Sequence, residues 1–178
     1  MGVSLHLACQ KTFTPQEFTT LVIEPVLCAL SSIPFSKAAS QLLIATALHE
    51  SQGLKHRRQI RGPALSFFQI EPKTHDDIWA NFLAYRLKLA KEVESIMTTT
   101  NANKIIELEY NDNYAAAIAR VHYFRVKESI PKFGDTTSIA DYWKKHYNTP
   151  LGKGTPSKLK SDWAAYNGGA ITFRESCK

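Results

Sequence analysis

An apolar stretch that ends in a carboxylate is the feature of this chain that most restricts its fold. The stretch runs from Ser36 to His49 and is followed at once by Glu50. Helical spacing places Ala39, Leu43 and Ala47 on one face, and Glu50 falls on that same face. The pattern therefore predicts a helix that buries an acidic side chain at its C-terminal end.

Such a carboxylate is costly to bury unless it is paired or has a chemical role. Burial raises the pKa of a carboxyl group, as a general acid working near neutral pH requires. Gly53 lies just beyond Glu50 and can close the helix, which leaves the carboxyl group at a helix end that a cleft can reach. The alternative is a structural glutamate that pairs with Arg57 or Arg58.

Helix signals recur along the whole chain, and no run of alternating strands is present. Thr14, Pro15 and Glu17 have the arrangement of a capping box with proline at the first helical position. Pro25 should kink or split the helix that follows. Further helices are predicted at residues 36–51, 74–98 with Thr74 as the cap, 104–110, 113–129, 137–147 and 155–167.

The composition suits one domain with a sizeable core, since the chain has 178 residues and an ordinary apolar fraction. The prediction is a mainly α domain over residues 1–178, with at most a small β element near residues 55–70. No apolar run reaches the roughly 20 residues needed to cross a bilayer, so membrane insertion is not expected. Met1 to Lys11 lacks the pattern of a secretory signal peptide.

The net charge of +6 favours polyanionic partners such as nucleic acid, anionic lipid or cell wall. Outside residues 55–61 and 153–160 the basic residues are dispersed. This spread favours general electrostatic attraction over a dedicated nucleic-acid groove, so a nucleic-acid partner is not expected.

The three cysteines, Cys9, Cys28 and Cys177, are odd in number and form no CxxC pair. Neither a zinc ribbon nor a disulfide framework is therefore expected. Cys28 lies in an apolar run and is predicted to be a core residue. A bridge between Cys9 and Cys177 stays open. No pair of histidines has the helical spacing of metal ligands, so no metal and no cofactor are predicted.

Three short motifs occur in an order that is typical of one family. They are Glu50-Ser51 with Gly53 at a helix end, then GPALSFFQI at residues 62–70 with Pro72 and Thr74, and finally a Tyr-Asn pair after a later helix. Together they resemble the soluble lytic transglycosylases of the lysozyme superfamily, in particular members encoded by phages. The resemblance is carried best by residues 47–79, and it implies a lysozyme-like α-helical domain.

The resemblance also implies a reaction, the cleavage of the MurNAc-β-1,4-GlcNAc bond of peptidoglycan. Glu50 matches the single general acid/base, which yields a 1,6-anhydro product without a second carboxylate. Gln69 matches the family's sugar-contacting glutamine. Phe67 and Phe68 stand where the family has Leu-Met and are expected to line the cleft or pack behind it. Ser66 replaces the second glycine of the motif, so its hydroxyl is predicted to contact Glu50 or the substrate.

Two Tyr-Asn pairs compete for the third motif. Tyr147 with Asn148 follows a helix at a separation from Glu50 that is nearer the family's. The sequence around Tyr166 matches the family motif more closely, but the Asn-Gly-Gly after it is a common helix terminator. We favour Tyr147 as the residue that positions the Glu50 carboxyl group and keep Tyr166 as the alternative. Ser51 is a further candidate for substrate contact.

The sequence also allows other assignments of residue roles and of function. Asp76 or Asp77 is a candidate for the second carboxylate with which a hydrolase activates water, although both are expected to cap the helix that follows Thr74. The tryptophans are predicted to be core residues, with Trp143 the best candidate for a sugar platform. A non-catalytic wall-binding virion protein with the same fold is the alternative outside enzymes, and the departure at Ser66 keeps it open.

The expected partners are peptidoglycan glycan strands and, for a virion component, other virion proteins. Because no signal peptide is evident, the protein is expected to be made in the bacterial cytoplasm. A phage virion, or another route such as the holin-dependent export of an endolysin, is then expected to deliver it to the periplasm.

Overall fold

The computed structural model describes residues 12–99, 102–149 and 152–178. Its α-helices are α1 (Pro15–Phe18), α2 (Glu24–Ala29), α3 (Lys37–Glu50), α4 (Pro72–Asn81), α5 (Leu87–Glu94), α6 (Lys104–Tyr110), α7 (Asp112–Phe124), α8 (Thr136–Trp143) and α9 (Pro156–Ala165). Shorter segments are π-helical at Thr19–Ile23 and Lys144–Asn148, and 3₁₀-helical at Leu83–Tyr85 and Gly168–Ala170. The predicted mainly α fold is therefore confirmed.

The β content near residues 55–70 is small, as predicted. It consists of isolated bridges that pair Leu65 with Arg58 and with Ile70. These bridges fold the segment between α3 and α4 back on itself. Among the described helices, none is long and apolar enough to cross a membrane.

The first helices follow the sequence signals closely. The Thr14 hydroxyl accepts the backbone N–H of Glu17, and the Glu17 carboxylate accepts the N–H of Thr14, which completes the predicted capping box. Pro25 has no N–H to donate, and the helix widens to π geometry at Thr19–Ile23 just before it. The proline therefore divides α1 from α2, as expected.

The single helix predicted over residues 74–98 is wrong. Helix α4 begins earlier than the predicted cap Thr74, because Pro72 lacks an N–H and suits the first helical turn. The chain leaves helical geometry at Phe82, where φ is −132°, and then buries Leu83 completely before α5 begins. Both helices pack on the same core, so the apolar stripe continues across the break and periodicity alone does not reveal it.

Apolar residues from the first helix to the last contribute to one hydrophobic core. Helix α7 runs through this core, with every side chain from Tyr114 to Tyr123 buried. Helix α3 packs against α7 and is buried from Ala39 to Leu48, on all sides rather than along one face. A helix enclosed in this way fixes the position of its last residue, Glu50.

A disulfide joins Cys28 in α2 to Cys177 near the C-terminus, so the expectation of no disulfide framework is wrong. Cys28 is only partly buried and is not a core residue. The open bridge to Cys9 is also wrong, because Cys177 is already paired; Cys9 itself lies outside the described residues. Beside the disulfide, the backbone N–H of Arg174 donates to Glu24 Oε1 at 2.8 Å, which ties the C-terminal segment to α2.

Candidate active site

The candidate site is built at the C-terminal end of α3. Ser51 closes this helix: its hydroxyl donates to the Ala47 carbonyl at 2.6 Å and accepts the Leu54 N–H at 2.9 Å. Gln52 then takes the left-handed conformation, and the Gly53 N–H bonds the Leu48 carbonyl. Ser51 is fully buried and has a structural role, so the prediction that it contacts substrate is wrong.

Glu50 is largely buried at this helix end. Burial raises the pKa of its carboxyl group from 4.5 to about 7, while a hydrogen bond from Trp143 acts in the opposite direction. The Trp143 indole Nε1–H donates to Glu50 Oε1 at 3.0 Å. The alternative of a structural ion pair is wrong, since Arg57 pairs with Asp112 and Arg58 with Glu109. The site therefore holds an unpaired acid that is protonated up to near neutral pH.

A cleft of about 720 Å³ opens onto Glu50. Its walls come from the segment between α3 and α4, from α7, and from the π-helical segment after α8 with the loop that follows it. Among the predicted site residues it brings together Glu50, Gln69, Tyr147 and Asn148. The volume lies in the range typical of ligand-binding clefts.

Gln69 presents a defined acceptor to this cleft. Its side-chain amide donates to the carbonyl of Ser66 at 2.7 Å and to that of His56 at 3.2 Å, which uses both amide hydrogens. The side-chain oxygen is therefore the group that Gln69 offers to a ligand. This placement agrees with the predicted role of Gln69 as a substrate contact.

Ser66 lies elsewhere than predicted. Its φ is 64°, the left-handed conformation that glycine adopts most readily, and its side chain is fully buried. The hydroxyl accepts the Phe68 N–H at 3.3 Å inside its own turn. The prediction that Ser66 contacts Glu50 or the substrate is therefore wrong. Ser66 therefore has a backbone conformation that a glycine would adopt without strain.

Replacing Ser66 with glycine is expected to change the free energy of unfolding by less than about 1 kcal/mol, because relief of backbone strain offsets the loss of a long hydrogen bond. Valine, which is branched at Cβ, is expected to cost about 2 kcal/mol or more at this φ. Urea unfolding of the two variants checks this order. Glycine and valine variants that lose the same stability relative to the wild type would mean that the hydroxyl, which both lack, matters more than the backbone conformation.

Phe68 packs behind the cleft. The side chains of Phe67 and Phe68 are buried in the core, and the Phe68 backbone carbonyl accepts a hydrogen bond from the Tyr147 hydroxyl at 2.7 Å. Of the two expectations for Phe68, packing is confirmed and direct contact with substrate is wrong. The Phe68 backbone nevertheless determines where Tyr147 lies.

Tyr147 lines the cleft, but it does not orient Glu50 in the predicted way, because its hydroxyl is committed to Phe68. Its ring stacks on Tyr123 with 5.1 Å between centroids. Burial holds the pKa of Tyr147 well above its usual value, so the phenol stays protonated. Asn148 beside it also lines the cleft, and its side-chain oxygen accepts from Lys144 Nζ at 2.7 Å.

Tyr166, the alternative to Tyr147, does not line the cleft. Its ring covers Gly53, so closely that a Cβ atom on Gly53 would lie 2.5 Å from Tyr166 Cε1. Tyr166 therefore packs against the turn that ends α3 rather than lining the cleft, and the structure supports Tyr147 as the cleft tyrosine. The tight contact explains why a residue without a side chain stands at position 53.

The contact of Trp143 with Glu50 is the feature of the candidate site that the sequence does not predict. Trp143 is fully buried, as predicted for a core tryptophan, and is not a sugar platform. Its role is to donate a hydrogen bond to Glu50 from a helix far away in sequence. The one available signal was its position four residues before Tyr147, which places both side chains on one helix face.

Replacing Trp143 with phenylalanine is expected to raise the pKa of Glu50 from about 7 by on the order of one pH unit, because the carboxylate loses its donor. Carbon-13 NMR of the Glu50 carboxyl group during a pH titration measures this change. Trp163→Phe on α9 is the matched control and is expected to leave the Glu50 titration unchanged. An unchanged titration in Trp143→Phe would show that the hydrogen bond does not form in solution.

Neither predicted second carboxylate lies in the cleft. Asp76 bonds His75 at 2.9 Å, and Asp77 bonds Arg125 at 2.5 Å. Both lie beyond the first turn of α4, so their expected capping role is wrong as well. Among the described residues, the carboxylate that lines the cleft with Glu50 is the exposed Glu71, at the N-cap of α4. The described residues include no cluster of His, Cys, Asp and Glu that could hold a metal ion.

No protein-family model, curated protein or solved structure matches the chain. The function is therefore inferred from the geometry of the Glu50 cleft and from the motif resemblance.

Proposed function

We propose that the protein cleaves the MurNAc-β-1,4-GlcNAc bond of peptidoglycan as a lytic transglycosylase, with Glu50 as its single general acid/base. The observation that carries this proposal is the buried Glu50 carboxyl group, whose pKa is raised to about 7 and which opens onto a cleft shared with Gln69 and Tyr147. A general acid is most effective when its pKa lies near the working pH. The net charge of +6 favours approach to an anionic wall.

The proposed reaction begins with proton transfer from Glu50. Oε1 accepts the Trp143 N–H, so Oε2 carries the proton and delivers it to the glycosidic oxygen. The bond from C1 of muramic acid to that oxygen breaks, and positive charge develops at C1. The Glu50 carboxylate then removes the proton from the muramic 6-hydroxyl, whose oxygen attacks C1. The products are a 1,6-anhydro sugar and a free 4-hydroxyl, and Glu50 regains its proton.

The surrounding residues support the two states of Glu50. The Trp143 N–H stabilises the carboxylate formed after the first step, while burial stabilises the protonated form needed before it. The Gln69 side-chain oxygen is available to accept a hydrogen bond from a sugar hydroxyl or amide group. Tyr147, held by the Phe68 carbonyl, provides a fixed aromatic wall.

The site of action that we propose is the bacterial periplasm, reached from a phage virion or by export of an endolysin. The disulfide between Cys28 and Cys177 supports this placement, because such bonds form and persist in oxidising compartments. Peptidoglycan strands are the proposed partner, together with other virion proteins if the protein is carried in the particle.

Release of soluble fragments from purified peptidoglycan sacculi tests the proposal. The rate is expected to be highest below about pH 7 and to fall above it, since the first step needs protonated Glu50. Absence of release at every pH would overturn the proposed function and favour a non-catalytic wall-binding protein.

Hydrolysis is the second candidate, and the observation that favours it is Glu71, which lines the same cleft as Glu50. A second carboxylate across the cleft can activate a water molecule. Digestion in water enriched in heavy oxygen separates the two routes, because hydrolysis places the label on the new reducing end and transglycosylation does not. Labelled products that disappear in Glu71→Gln would establish the hydrolytic route.

A further inference from the structure

His49 and Asp162 form a buried pair directly behind the candidate site. His49 Nδ1 lies 2.7 Å from Asp162 Oδ2, and the two side chains are 11% and 10% exposed. Asp162 belongs to α9 and also pairs with Lys158, one turn earlier on the same helix. The pair therefore links the last turn of α3, where Glu50 stands, to α9.

The His49 ring packs on the indole of Trp143. The ring centroids are 4.5 Å apart and the planes meet at 78°, an edge-to-face arrangement. Gly154 also lies close to the indole, so that a Cβ atom there would be 2.5 Å from Trp143 Cη2. The indole thus contacts both His49 and Gly154, and its N–H donates to Glu50.

We propose that the pair of His49 and Asp162 is a positioning unit, which holds the Trp143 indole in the orientation that donates its N–H to Glu50. Asp162 fixes the imidazole through the 2.7 Å contact, and the imidazole fixes the indole by packing. His49 and Asp162 do not touch the reacting atoms in this arrangement. Their effect on cleavage rests on the proposed function, whereas their effect on the ionisation of Glu50 does not.

The electrostatic setting allows this role to be separated from a simple charge effect. Burial lowers the pKa of His49 below its usual value, although Asp162 acts to raise it, so the ring is neutral at pH 7. Its removal takes no positive charge from the surroundings of Glu50. The charged groups that face His49 are Asp162 and Lys158, both on α9.

Tyr123 on α7 and Tyr147 place phenols near Glu50. The other titratable and charged groups that line the same cleft are His56, Arg58, Glu71, His122 and Lys153. Burial keeps the pKa of both phenols well above the usual value. Both therefore stay neutral while Glu50 titrates, so neither phenol contributes to a change in the Glu50 titration.

The experiment is a pH titration of the Glu50 carboxyl group by carbon-13 NMR, together with the indole N–H resonance of Trp143. In the wild type both signals should change together near pH 7. In His49→Ala the Glu50 midpoint is expected to rise by about half a pH unit or more, toward the value in Trp143→Phe, because a loosened indole donates a poorer hydrogen bond.

Two further variants keep the test informative if His49→Ala folds poorly. Asp162→Asn keeps the size of the side chain but weakens its hydrogen bond with the His49 imidazole. His49→Gln keeps a hydrogen-bond donor to Asp162 but removes the aromatic ring. Both are expected to raise the Glu50 midpoint, the second more than the first.

His75→Ala is the matched control. His75 is also a buried histidine with a carboxylate partner, Asp76, and its other ring nitrogen lies 2.9 Å from the Tyr114 hydroxyl. This variant is expected to lower the unfolding temperature without moving the Glu50 midpoint. A Glu50 midpoint that stays at the wild-type value in His49→Ala, Asp162→Asn and His49→Gln would overturn the positioning role.

Failure of the proposed function has a different signature. If sacculi are not cleaved but the Glu50 midpoint responds to His49, the positioning unit stands and the reaction is wrong. If sacculi are cleaved and the midpoint does not respond, the reaction stands and the positioning unit is wrong.

Discussion

Replacing Glu50 with glutamine is expected to lower the rate of peptidoglycan cleavage by about a thousandfold. The amide keeps the shape of the side chain and can still accept the Trp143 N–H, but it has no proton of suitable acidity for the glycosidic oxygen. It also cannot remove the proton from the muramic 6-hydroxyl. Soluble fragment release from sacculi, measured for both proteins at equal concentration, gives the ratio of rates.

The same substitution is expected to stabilise the protein above neutral pH. In the unfolded chain the pKa of Glu50 is the usual 4.5, and burial raises it to about 7 in the folded state. The stability that Glu50 contributes is therefore fully present below about pH 4.5, is lost as the pH rises toward 7, and stays lost above that. The difference is on the order of 3 kcal/mol, and Glu50→Gln removes this loss.

Glu107→Gln is the matched control for both effects. Burial alone would raise the pKa of Glu107, but hydrogen bonds from Thr98 and Asn111 lower it overall. Its substitution is therefore expected to reduce stability at neutral pH and to leave cleavage unchanged. Equal cleavage by wild type and Glu50→Gln would remove Glu50 from the mechanism.

Removing the disulfide should produce the largest loss of stability among the substitutions considered. The double variant Cys28→Ser with Cys177→Ser is expected to lower the free energy of unfolding by about 5 kcal/mol, because the bond closes a loop with a sequence separation of 149 residues. For a chain of this size the unfolding temperature should fall by about 10 °C. Thermal unfolding monitored by circular dichroism measures the change.

A reductant provides the control for this prediction. Dithiothreitol is expected to lower the unfolding temperature of the wild type and to have no effect on the double variant. The ion pair and hydrogen bond between Arg174 and Glu24 remain in both proteins, so the difference reports on the disulfide. A wild-type unfolding temperature that reductant does not change would mean that the C-terminal segment is held by its other contacts.

Local signals allowed most helices and the catalytic candidate to be predicted. The caps at Thr14, Ser36 and Thr155 and the apolar spacing of α3 involve residues within a few positions of one another. The same spacing predicts that Glu50 is buried and that its pKa is raised, and both are found, although the structure encloses α3 on all sides rather than along one face. Local sequence predicts these features because a helix cap and an apolar helix face each involve residues that are close together along the chain.

The features that were missed depend on distant residues. Trp143 reaches Glu50 from a separate helix, and Cys177 reaches Cys28 across most of the chain. Sequence periodicity does not predict such contacts, because the two residues of each pair are brought together by the packing of α3, α8 and the C-terminal segment. The role of Ser66 is not predicted for another reason, because it depends on a left-handed backbone conformation rather than on the chemistry of the side chain.

Mass spectrometry of the fragments released from purified peptidoglycan by the wild type and by Glu50→Gln tests the central claim most directly. The wild type is predicted to release chains that end in 1,6-anhydro muramic acid, lighter by one water than hydrolysed ends, and Glu50→Gln is predicted to release almost none. Hydrated reducing ends from the wild type, or anhydro products from Glu50→Gln at the wild-type rate, would contradict a transglycosylase that uses Glu50 as its single acid and base.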